Sequence, residues 1–97
     1  MKLRNAGFAA LLAAALVAVP VSSASATTVN AGGGLWQYGS DSNVYSYYHH
    51  ATKNHTATAC NGGIVDRCRQ VAAVKNQWAR ATQVRSLRGN TAYWNTL

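Results

Sequence analysis

The 97-residue chain sets nine Lys/Arg against two Asp/Glu, a formal charge of +7 at neutral pH. Such a length holds one domain with a small core, and with no Glu and only Asp41 and Asp66, both in turn-like sequence, the chain offers little for general acid–base catalysis. A basic chain is drawn to anionic partners (phospholipid surfaces, cell-wall polymers, pyrophosphates, nucleic acid), with solubility as the plainer reading.

The amino end reads as an export signal. Lys2 and Arg4 precede an apolar run over residues 8–21, and Pro20 ends its helical stretch. Ala24-Ser25-Ala26 offers small residues where a signal peptidase needs them, so cleavage is expected between Ala26 and Thr27. The run falls short of the about 20 apolar residues of a membrane helix, which makes a retained anchor the lesser alternative. This gives a signal peptide over residues 1–26. Residues 27–34, small and ending in Gly32-Gly33-Gly34, read as a flexible leader, and the domain proper is expected over 35–97.

Strand chemistry follows. Leu35-Trp36-Gln37-Tyr38 is stopped by the turn cluster Gly39-Ser40-Asp41-Ser42-Asn43. Val44-Tyr45-Ser46-Tyr47-Tyr48-His49-His50 and His55-Thr56-Ala57-Thr58-Ala59-Cys60 are the next strand candidates, the latter ending on the turn signal Asn61-Gly62-Gly63. Residues 78–85 alternate, with Trp78, Arg80, Thr82 and Val84 on one side and Ala79, Ala81, Gln83 and Arg85 on the other. Thr91-Ala92-Tyr93-Trp94-Asn95 closes the chain as an aromatic strand. One region is balanced differently. Val71, Val74, Trp78 and Ala81 recur at helical spacing, so residues 69–83 fit an amphipathic helix nearly as well as strands.

Cys60 and Cys68 flank a turn in the exported part, where a disulfide across a hairpin is the default. Closing so short a loop stabilises by about 2.5 kcal/mol on chain-entropy grounds. A metal pair or a reactive thiol is the alternative, and no second cysteine pair supports a metal. His49, His50 and His55 are close in sequence, but neighbours on a strand point to opposite faces, so surface or interface histidines are expected rather than a metal face. Neither a Cys60–His55 nucleophile pair nor a His55–Arg67 nuclease pair has a supporting pattern, so no catalytic residue, metal or cofactor is expected. Three Trp and five Tyr are interleaved with cations. Some must build the core; the others suit protein interfaces, carbohydrate or the lipid headgroup layer. Nucleic acid would also fit such a surface, but export argues against it.

The aromatic and histidine blocks carry a resemblance. Gly34-x-Trp36-Gln37-x-Gly39, Tyr45-Ser46-x-Tyr48-His49-His50, Lys53-x-His55-x-Ala57-Thr58, Trp78-Ala79-x-Ala81-Thr82 and Tyr93-Trp94-Asn95 occur in order. Together they resemble the lactococcin 972 family of bacteriocins over nearly all of residues 34–95. The resemblance implies an all-β fold, a small β-sandwich of two short antiparallel sheets after a cleaved signal helix. It implies a homodimer that binds the cell-wall precursor lipid II and blocks septum formation without opening pores, with an immunity protein in the producer. The Cys60–Cys68 pair is not part of the family pattern and reads as an added staple. Physical reasoning names the contacts. Lys53, Arg80 and Arg85 suit a pyrophosphate. Trp36, Tyr48 and Trp78 suit sugar rings or headgroups, and His49, His50 and His55 suit hydrogen bonding. The alternatives are a cationic membrane-disrupting peptide and a non-toxic secreted surface-binding protein.

Overall fold

Strand-forming residues and two-residue alternation organise the described residues into eight strands. The computed structural model describes residues 17–21, 25–63 and 67–97. The strands are β1 (Val17–Pro20), β2 (Ser25–Ala31), β3 (Gly34–Ser40), β4 (Asn43–His49), β5 (His55–Asn61), β6 (Arg67–Ala73), β7 (Trp78–Val84) and β8 (Thr91–Thr96). They form two antiparallel four-stranded sheets, ordered β1-β8-β5-β6 and β2-β3-β4-β7. The described residues contain no helix, in keeping with the all-β sandwich that the resemblance implies. The signal helix was expected to begin at residues that lie outside those described. Its last part, Val17–Pro20, runs as β1 beside β8.

The region balanced between helix and strand resolves as strand, and the leader differs from expectation. Residues 69–83 are not a helix. Val74 is exposed, Asn76 turns the chain with a left-handed φ of 66°, and β6 and β7 separate into different sheets. Asn is one of the few residues that visits that conformation readily, so the turn needs no Gly or Pro. The stretch read as a flexible leader is instead largely β2, paired along its whole length with β3. Gly32 (φ 59°) and Gly33 (φ 84°) form the two-residue hairpin turn between them. Two positive φ angles in succession match the strand twist and favour Gly. The expected cleavage bond, Ala26–Thr27, lies inside β2.

The core lies between the sheets. Trp36, Tyr48 and Trp94 supply bulk, and Ala57, Ala59, Ala79, Ala81 and Ala92 supply close approach. Tyr48 and Trp94 pack with ring centroids 5.1 Å apart. Ser46 ties the layers together. Its Oγ accepts from Trp36 Nε1 at 2.9 Å and donates to the Tyr93 carbonyl at 2.7 Å. Cys60 and Cys68 stand directly opposite each other in the β5–β6 register and are disulfide-bonded.

Candidate functional site: an aromatic and cationic sheet face

Alternation along β4 sends Val44, Ser46 and Tyr48 into the core and turns Tyr45, Tyr47 and His49 outward. The β4–β7 register sets Tyr45 opposite Thr82, Tyr47 opposite Arg80 and His49 opposite Trp78. Ala79 and Ala81 are the buried side of β7, so Trp78 and Arg80 also face outward. The result is a continuous surface row. The Arg80 guanidinium lies 5.1 Å from the Trp78 ring centroid and 5.6 Å from that of Tyr47. His49 and Trp78 rings are 5.3 Å apart, and Tyr45 and Tyr47 rings 4.9 Å. A cation held between aromatic faces is oriented without being neutralised, and its N–H groups remain available to an anion. Burial first, then Tyr47 and Asp41, raise the pKa of Tyr45, so it presents a neutral hydroxyl.

The structure divides the residues expected to bind. His49, Trp78 and Arg80 come together in this row. Trp36 (2% exposed) and Tyr48 (0%) belong to the core and have no surface to offer a ligand. The Tyr48 hydroxyl donates to the Ala31 carbonyl at 2.7 Å, and burial pushes its pKa up. His50 (5%) and His55 (0%) are also interior, not the surface histidines expected. Both pin the crossings between sheets at one end of the sandwich. His50 Nδ1 accepts from the backbone N–H groups of Thr52 and Lys53 at 3.2 and 3.1 Å. That role requires a neutral ring at Nδ1. Burial, the largest influence, lowers the His50 pKa accordingly. Both ring nitrogens of His55 lie 2.7 Å from carbonyl oxygens, those of Lys53 and Gln77. The ring thereby bridges the β4–β5 loop and the β6–β7 turn. Lys53 is exposed in that loop, just beyond the His49–Trp78 end of the row. Arg85 follows β7 at the opposite end and is half-buried.

Tyr45 and Tyr47 were missed as site residues. Their signal was the pairing of two alternations: alanines mark the buried side of β7, and antiparallel pairing transmits that phase to β4.

Sheet, staple and surface row together define a class: a small disulfide-bonded β-sandwich that presents a cationic aromatic face. Residues 32–94 match the family described as "Bacteriocin (Lactococcin_972)". The chain belongs to the lactococcin 972 family of bacteriocins. The solved structure of Lactococcin 972 is similar to it, with a TM-score of 0.50 and 28% identity, covering 75% of this chain and 100% of that one. No match was found among curated proteins. The family span begins at the Gly32-Gly33 turn and ends within β8, so it takes in β3 to β7 and most of β8 and leaves out β1 and β2.

Proposed function

We propose that this bacteriocin is exported through a signal removed after Ala26 and binds lipid II on target cells. As a homodimer it blocks septum and wall synthesis without forming pores, and an immunity protein protects the producer. The observation that carries the reading is Arg80 held between Trp78 and Tyr47 on an exposed sheet face. Lipid II displays a pyrophosphate beside sugars at the membrane surface. A guanidinium matches phosphate oxygens in a two-pronged geometry that an ammonium cannot reproduce. Trp78, Tyr47 and Tyr45 offer flat faces to a sugar ring or to the headgroup layer. Lys53 adds charge near the Trp78 end. Binding of this kind sequesters its target one to one and involves no turnover.

The test is growth of related bacteria with the oxidised protein beginning at Thr27, scored by microscopy. Septum arrest that purified lipid II relieves is the expected result. Rapid dye leakage from anionic vesicles lacking lipid II would replace this reading with membrane disruption. No growth inhibition on any related strain would overturn it.

A further inference from the structure

The opposite sheet carries a second surface that the lipid II reading does not use. Outward positions on β5, β6 and β8 hold Thr58, Cys60, Cys68, Gln70 and Tyr93, which line an open groove of about 330 Å³. That volume is at the lower end of small-ligand sites, roughly 300–1,000 Å³. No charged residue occupies an outward position of these three strands: Arg67 and Arg69 alternate with Cys68 and Gln70 and belong to the other side of β6. The groove's walls are fixed from several directions. The disulfide joins β5 to β6 across its floor, and the Tyr93 carbonyl is held from the core side by Ser46.

Beside the groove the sheet holds two buried polar atoms. One step along from Thr58 and Tyr93, Thr56 and Asn95 stand opposite each other in the β5–β8 register. Thr56 Oγ1 and Asn95 Oδ1 have no hydrogen-bond partner, although Thr56 is only 7% exposed. These atoms are closed to the outside, so the polar groups a ligand reaches are those that line the groove, Thr58 and Gln70.

We infer that this groove binds a neutral saccharide. A pyranose ring presents hydroxyls around its rim and C–H groups on its faces. The hydroxyl of Thr58 and the amide of Gln70 serve the first, while the Tyr93 ring and the disulfide sulfurs serve the second. The lack of outward cations on β5, β6 and β8, among the described residues, argues against a phosphate or carboxylate ligand. The two sheets face opposite ways, so one small headgroup cannot touch both surfaces. The groove therefore takes a separate sugar, and the inference stands or falls independently of lipid II binding.

The test is an amide-resonance NMR titration of the oxidised protein with the phosphate-free N-acetylglucosamine trisaccharide. Saturable shifts centred on Thr58, Gln70 and Tyr93 are expected, unchanged in Arg80→Ala. Tyr93→Ala should weaken binding about ten-fold. Gln70→Ala and Thr58→Val, which spare the neighbours of Trp94, should each weaken it about three-fold. They serve as the check if Tyr93→Ala fails to fold. No shifts, shifts confined to Tyr47 and Trp78, or undiminished binding in the Gln70 and Thr58 variants would overturn the inference.

Discussion

The two outward faces of the sandwich are built by the same alternation yet differ in chemistry. On β4 and β7 the outward set is Tyr45, Tyr47, His49, Trp78 and Arg80, aromatic rings around a fixed cation. On β5, β6 and β8 it is Thr56, Thr58, Gln70, Tyr93 and Asn95 with a disulfide, all uncharged. Between them lies one core of three large aromatics, two valines and five alanines. One core can carry two such different surfaces because alternation turns one phase of each strand inward and leaves the other free to vary.

The sharpest way to break this comparison is to mutate neighbours on one strand. Tyr48→Ala removes a fully buried ring and its bond to the Ala31 carbonyl, and should cost about 3–5 kcal/mol in urea denaturation. Tyr47→Ala, one residue away on the outward phase, should stay within about 0.5 kcal/mol of wild type. Equal losses would show that the two phases are not separate. Next in size, replacing both Cys60 and Cys68 by Ser should lower stability by about 2.5 kcal/mol. It should loosen the neutral groove while leaving the Arg80 row intact, which the saccharide and lipid II titrations read separately.

Arg80→Lys keeps the charge and loses the planar fork. Lipid II affinity should fall about five-fold, by roughly 1 kcal/mol, with the thermal midpoint unchanged. The smallest effect concerns pH. His50 is held below its ordinary value of 6.5, first by burial and then by the nearby charges of Lys53, His55 and His49. Its contribution to stability is complete above that ordinary value and is lost as pH falls through the lowered one. His50→Asn leaves an acceptor near the Thr52 and Lys53 N–H groups but cannot titrate. Its melting temperature should therefore fall less on acidification than that of wild type. An unchanged slope would remove His50 from the account.

Much of this was legible in the sequence where local signals agreed. Strands β3, β4, β5, β7 and β8 are Tyr-, Trp-, Val- or Thr-bearing runs bounded by turn residues, and the Cys60–Cys68 staple follows from a turn between two cysteines. β6 was ambiguous because Val71, Val74 and Trp78 mimic helical spacing, while the break at Asn76 carries no Gly or Pro. β2 was hidden because Gly32-Gly33 reads equally as a flexible linker and as a hairpin turn. The site was half legible. Trp78, Arg80 and His49 stand in it, but Tyr47 and Tyr48 are adjacent tyrosines whose opposite fates depend on which phase meets the alanines of β7. Composition contains no such information; pairing between strands does.

The most direct test of the central claim, that the Arg80 row is the recognition surface, is a titration of lipid II in neutral phospholipid vesicles. Wild type, Arg80→Ala and Gln70→Ala would be compared, each with its thermal stability. The account predicts saturable binding that Arg80→Ala weakens by about thirty-fold, roughly 2 kcal/mol, without loss of stability. Gln70→Ala should bind like wild type. Undiminished binding by Arg80→Ala, or equal binding to vesicles without lipid II, would contradict it.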